Sequence, residues 1–235
     1  MFFMKLGVLF SGGKDSCLAL HKVLEDGHNV KFLLNIFTKN QDSFMFHKQD
    51  AGLLAAQVDR LGIEMISVNS EGVEEEELKD LEALIGKVSG DVDGIAVGGI
   101  ASSYQSTRVK AVCDKFGLEF VGPLLDYEPE KLWTELLGEG FEVIVIKIAC
   151  DGIGKGWLGR VITKKNFDEL RKLSEKYKFR LDFEGGEAET AVLMMPEYSK
   201  RIDTLSGHKN LQAGIDFEVE SEGEYRHLMK EVKVL

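Results

Sequence analysis

Six residues near the start of the chain, Ser11-Gly12-Gly13-Lys14-Asp15-Ser16, combine what a phosphate group needs from a protein. Gly12 and Gly13 permit positive φ and leave no side chain in the way, so backbone N–H groups can converge on an anion. Lys14 can reach phosphate oxygens as a point charge. Asp15 can hold Mg2+, directly or through water. Ser11 and Ser16 supply hydroxyl donors. Two commoner phosphate patterns do not fit. Walker A requires Ser or Thr after its Gly-Lys pair, where Asp15 stands. A GxGxxG spacing occurs at 154–159, but the residues after it, Arg160-Val161-Ile162-Thr163, are β-like and open no helix, as a dinucleotide site requires.

The elements around the six residues place them where a ligand belongs. An apolar run at 6–10 reads as a buried strand, and Cys17, Leu20 and Leu24 then recur at helical spacing. The loop therefore joins a first strand to a first helix, whose N-terminus adds about half a positive charge. Further strands are expected at 30–37, 64–68, 94–97 and 118–121, with helices at 52–61, 74–88 and 103–116 between them. In the helix at 52–61, Leu54, Val58 and Leu61 share a face. The acidic run at 74–77 reads as a solvated helix N-terminus, favoured by the dipole. Strand–helix alternation of this kind predicts an α/β fold with a doubly wound, five-stranded parallel sheet. A change follows Gly122-Pro123-Leu124-Leu125. A helix at 128–137, a β-rich run at 141–149, a glycine-rich stretch at 150–159, a helix at 166–177 capped by Asn166 and a strand-rich remainder indicate a second, smaller α/β domain. The expected division is 1–124 and 125–235.

Bulk properties narrow the function classes. The net charge of −11 repels nucleic-acid phosphates, and the densest basic run, Lys164-Lys165, is too short to override it. Nucleic acid is thus not the expected partner. Cys17, Cys113 and Cys150 are scattered, without a CxxC pair, which points to neither a disulfide framework nor a zinc site and suggests the reducing cytoplasm. The first residues lack the basic and apolar regions of a signal peptide, and no apolar run approaches the ~18 residues of a membrane span.

The segment Ser11–Ser16 matches, without a gap, the SGGxDS signature of the PP-loop ATP pyrophosphatases, and the chain resembles that superfamily. The resemblance implies an adenine nucleotide α-hydrolase-like sheet, ATP as cosubstrate and cleavage to AMP and pyrophosphate. A narrower resemblance covers nearly the whole chain. Ser43-Phe44-Met45-Phe46-His47, Gly98-Gly99-Ile100, Tyr104-Gln105-Ser106-Thr107-Arg108-Val109, Gly122-Pro123-Leu124, Trp157-Leu158-Gly159-Arg160 and Glu184-Gly185-Gly186-Glu187-Ala188-Glu189-Thr190 are similar to the corresponding segments of the diphthine–ammonia ligases. One position departs from that family: Ala188 stands where an aromatic residue is usual. The resemblance implies an enzyme that amidates diphthine, a modified histidine of elongation factor 2, with ammonium as nitrogen source.

That chemistry assigns expected roles. Adenylation turns the diphthine carboxylate into a substrate for ammonia, so Ser11–Ser16 would hold the departing pyrophosphate and Asp15 the Mg2+. Adenine is expected along the ends of strands one and two, near Phe37, with Gly98 and Gly99 lining the nucleotide site. Lys14 and Arg108 are the candidates to meet charge developing on the α-phosphate. Glu187 and Glu189 alternate in an extended segment and would point the same way, drawn to a quaternary ammonium or taking a proton from ammonium. His47, Tyr104, Gln105, Glu184, Gly185 and Gly186 are the expected substrate contacts. Two other readings stay open on sequence alone: a tRNA-modifying PP-loop enzyme, and an ATP-binding sensor without turnover. The pattern is silent on oligomeric state.

Overall fold

A computed structural model describes residues 3–38, 51–72, 74–99, 103–202, 215–221 and 224–229. Contacts group the chain into two compact units. The first comprises residues 1–11, 15–54 and 61–126, the second Gly12–Lys14, Ala55–Arg60 and Tyr127–Leu235.

The first unit holds strands β1 (Lys5–Leu9), β2 (Asn29–Thr38), β3 (Met65–Ser70), β4 (Gly94–Ala96) and β5 (Glu119–Val121). They form a parallel sheet in the order β3-β2-β1-β4-β5. The expected doubly wound α/β sheet is therefore the one observed. Its connecting helices are α1 (Lys14–Glu25), α2 (Ala51–Leu61), α3 (Glu74–Gly86) and α4 (Ser103–Phe116). Buried Leu34, Ile36 and Ile95 from the sheet meet Leu81, Leu84 and Ile85 of α3 and Val109, Val112 and Cys113 of α4 in one core. Central strands buried on both faces explain the near-continuous apolar runs. Glu77 departs from the solvated run expected at 74–77, being fully buried. It lies four residues before Leu81, on the face of α3 that enters the core.

In the second unit, α5 (Pro129–Gly138) and α6 (Lys164–Tyr177) accompany a five-stranded antiparallel sheet. Its centre is β6 (Glu142–Ile148), which pairs with β7 (Val161–Ile162), β8 (Ala188–Met194) and β10 (Glu224–Met229). The latter pairs in turn with β9 (Ile215–Ser221). Trp133 of α5 is fully buried, 5.7 Å from the Phe167 ring and 6.0 Å from that of Phe183, and its indole N–H donates to Leu181 O at 2.8 Å. The cap of α6 is Thr163, not Asn166: Asn166 N donates to Thr163 Oγ1 and Thr163 N donates to Asn166 Oδ1, a reciprocal box with Asn166 three residues in. The GxGxxG stretch forms a short 3-10 turn at Lys155–Trp157 and runs into β7. Among the described residues, no helix is long and apolar enough to cross a membrane.

Candidate active site

Strand order decides where the first unit can bind a ligand. From β1 the chain runs outward to β2 and β3, then returns to the other side of β1 for β4 and β5. The carboxyl ends of β1 and β4 thus border the switch point, where open α/β sheets bind ligands. Ser11–Ser16 follows β1, and Gly98 and Gly99 follow β4. The two connections approach closely: a Cβ on Gly98 would lie 2.6 Å from Asp15 O, so only glycine fits there.

The loop itself is ordered by its own side chains. Gly12 has φ +74, a conformation that favours glycine. Ser11 N donates to Ser16 Oγ at 3.2 Å, and the two hydroxyl oxygens are 3.1 Å apart. Helix α1 begins at Lys14, so its first N–H groups belong to the loop. Phe37 is half-buried near the end of β2, and Arg108 is half-buried in α4. Tyr104 and Gln105 lie in the first turn of α4, and their side chains fall outside the described residues. His47, with its neighbours at 43–46, lies outside them too.

Within the second unit, Lys14 is 3% exposed, with its ammonium 5.6 Å from the centre of the Phe183 ring. Backbone and side-chain bonds tie Gly12 and Lys14 to β8. Val192 N donates to Gly12 O at 3.1 Å, and Lys14 N donates to Thr190 Oγ1 at 3.2 Å. Gln57 of α2, also in this unit, donates from Nε2 to Gly12 O at 2.8 Å and to Val192 O at 2.9 Å. Gln57 is not among the residues to which the loop pattern points. Its signal in the sequence is positional: it shares a helical face with Leu54, Val58 and Leu61, a polar residue within an apolar stripe.

The acidic segment of the second unit is a tight turn leading into β8. Asp182 is fully buried and takes the Arg180 guanidinium on both carboxylate oxygens. That bond holds the Arg180 pKa above its ordinary value. Asp182 Oδ1 also accepts from Glu184 N at 3.2 Å. Glu187 accepts from Arg180 N on one oxygen and from Gly185 N on the other, each at 2.9 Å. Gly186 adopts φ +83, and a Cβ on Gly185 would sit 2.6 Å from Glu187 Oε1. Both glycines thus suit the turn itself, Gly186 by its backbone conformation and Gly185 by leaving room for the Glu187 carboxylate. Glu189 lies in β8, directly across from Lys147 of β6, and its carboxylate is 3.5 Å from the ammonium. Ala188 between the two glutamates is buried. Burial, followed by the charge of Glu187, pushes the half-buried Cys150 thiol up to about 11. Cys17 and Cys113 are fully buried packing residues, and burial raises the Cys113 thiol to about 11.

The comparison with known proteins matches the chain in two successive segments. Residues 4–120 match the diphthamide synthase N-terminal domain and residues 128–221 the diphthamide synthase C-terminal domain. The chain belongs to the diphthamide synthase family. The diphthine–ammonia ligase of Bos taurus is 34% identical over 221 residues, spanning 85% of this chain and 82% of its own length. That of Homo sapiens is 32% identical with the same coverage. The diphthine–ammonia ligase of Schizosaccharomyces pombe is 34% identical over 217 residues, again 85% of this chain, which spans only 36% of the fission yeast protein.

Proposed function

We propose that this member of the family is an ATP-dependent ligase. It adenylates the diphthine carboxylate of elongation factor 2 and amidates it with ammonia, releasing AMP and pyrophosphate. The observation that supports this best is the Ser11–Ser16 loop at the switch point of the parallel sheet, with a buried lysine and a close glycine opposite Asp15. Membership of a family whose relatives are named diphthine–ammonia ligases supports diphthine as the acceptor.

The reaction needs two displacements. A carboxylate oxygen of diphthine attacks the α-phosphorus of ATP, the bond to the β-phosphate oxygen breaks, and pyrophosphate leaves. Ammonia then attacks the acyl carbon, loses a proton, and expels AMP. The loop N–H groups and Lys14 serve the departing pyrophosphate, where negative charge accumulates. The Ser11 and Ser16 hydroxyls complete the anion cradle. Arg108, in the helix that follows Gly98-Gly99, is assigned together with Lys14 to the charge developing on the α-phosphate. The adenine is assigned to Phe37 and the ends of β1 and β2. For Mg2+ the local donors are suitable: one carboxylate, Asp15, beside hydroxyls and phosphate oxygens matches the hard-oxygen set this ion takes. Mg2+ held by Asp15 would neutralise phosphate charge.

On the acceptor side, Glu184, Glu187 and Glu189 bring carboxylates to the turn before β8 and to its start, suited to a trimethylammonium. His47, Tyr104 and Gln105 are assigned to the substrate as well. The cytoplasm, where scattered free thiols stay reduced, is the proposed compartment. A thiolation role is disfavoured because Cys150, the most exposed thiol, is held protonated near neutral pH and makes a poor nucleophile. ATP–pyrophosphate exchange, run with and without diphthine-bearing elongation factor 2 and with tRNA, tests the reading. Exchange stimulated by the elongation factor alone is the expected result. Stimulation by tRNA alone, or exchange with neither, contradicts it.

A further inference from the structure

Gln57 is buried to 1% exposure, yet its side chain is polar. A buried amide persists when its hydrogens find acceptors. Here both Nε2 hydrogens are used, one on Gly12 O and one on Val192 O. Both partners are carbonyls, so the nitrogen, not the oxygen, must face them. Gly12 O also accepts from Val192 N, which gives this carbonyl two donors. In a trans peptide the carbonyl and the next N–H point in opposite directions. Fixing Gly12 O towards Gln57 and β8 therefore aims Gly13 N–H to the other side of the loop. One residue further on, Thr190 accepts from Lys14 N, the first amide of α1.

We infer that Gln57, with Thr190, is a positioning residue for the phosphate loop: it sets the Gly12–Gly13 peptide in the orientation that binds the pyrophosphate end of the nucleotide. Gln57 also accounts for the glycine at 12, since a Cβ there would lie 1.8 Å from Gln57 Oε1. The contact has a second consequence. Thr190 and Val192 belong to β8, the strand that also bears Glu189, so the loop conformation is set by the acceptor-side strand. This inference rests on the proposed phosphate role of the loop.

Calorimetric titration with inorganic pyrophosphate and with ATP tests it, because neither needs an acceptor. Gln57→Met keeps the volume and removes both donors. Ala56→Gly, its buried neighbour in α2, serves as the control that loosens the same helix without touching the loop. Gln57→Met is expected to weaken pyrophosphate binding by about 10- to 100-fold, the usual scale for a misplaced site. KM for ATP should rise while KM for the acceptor stays within about two-fold, and Ala56→Gly should bind like the parent despite a lower Tm. Thr190→Val, nearly isosteric, is read in the same titration and decides the matter if Gln57→Met does not fold. Unchanged pyrophosphate affinity in a folded Gln57→Met, or in Thr190→Val when that variant decides, overturns the inference, as does an equal loss in Ala56→Gly. If the parent protein binds neither pyrophosphate nor ATP, the phosphate reading itself falls, and the inference with it.

Discussion

Lys14 shows how a single residue can be legible in type and hidden in setting. Its place after two glycines marks it as a candidate phosphate ligand from the sequence, but its burial against Phe183 depends on a residue 169 positions away. No local pattern announces that contact. A lysine kept from water interacts more strongly with an incoming anion than a solvated one does. Lys14→Ala should therefore lower acceptor-dependent pyrophosphate release by on the order of 10²–10³, the scale for losing one charge-stabilising donor. Unchanged turnover would mean that the loop does not hold phosphate. The glutamates illustrate the converse. Their spacing suggests a matched pair, whereas Glu187 ties its own turn together and Glu189 faces Lys147. Gln at position 187 keeps one acceptor oxygen and sets an NH2 group against a backbone donor, so Glu187→Gln should loosen the turn and cost about 1 kcal/mol. Glu187→Gln and Glu189→Gln are both expected to keep ATP affinity near that of the parent. Both should lose amidation, and only the first should show its main change in hydrogen exchange across 180–187. Loss of ATP binding in either would move that glutamate to the nucleotide site.

At the scale of elements, the parallel half of the chain is readable because its signals are local. Each buried strand is a short apolar run, each helix has its own stripe, and the order of a doubly wound sheet follows from short right-handed crossovers. The antiparallel half is less so. The pairing of β6 with three strands, the farthest from residue 224 onward, is a long-range choice that no window of sequence encodes. Helix α6 shows a smaller miss of the same kind. Asn166 is a good capping residue, but the box places it three residues inside the helix and gives the cap to Thr163. The usual box has Glu or Gln at that inner position, and Asn fills it here by bonding back to Thr163 N at 2.7 Å. Thr163→Ala should therefore cost about 1 kcal/mol, seen as a lower urea midpoint with an unchanged slope. No effect on the midpoint would return the cap to Asn166.

For the whole molecule, the net charge of −11 sets the terms of partnership. A protein acceptor recognised through a few carboxylates and a quaternary ammonium should bind with a shallow salt dependence. Nucleic acid would impose a steep one: neutralising several phosphates costs on the order of 10³-fold or more in affinity between low and moderate salt. Binding of diphthine-bearing elongation factor 2 is therefore expected to survive moderate salt, measured by titration at two ionic strengths. A steeper slope and tighter affinity for tRNA would favour tRNA as the partner. The division of labour within the chain is also a whole-molecule property. Gly12–Lys14 and Ala55–Arg60 group with residues 127–235, so the Ser11–Ser16 loop takes part of its support from chain that follows it by more than a hundred residues. A single cut in the sequence cannot express that arrangement, because it arises from tertiary hydrogen bonds. The most direct test of the central claim combines ATP, isotopically labelled ammonium and diphthine-bearing elongation factor 2. Mass spectrometry reads the protein, and chromatography reads the nucleotide. The account predicts labelled nitrogen at the diphthine carboxyl, with one AMP and one pyrophosphate formed for each amide. ADP and orthophosphate as the acceptor-dependent products, or ATP consumed to AMP with no nitrogen incorporated, would contradict it.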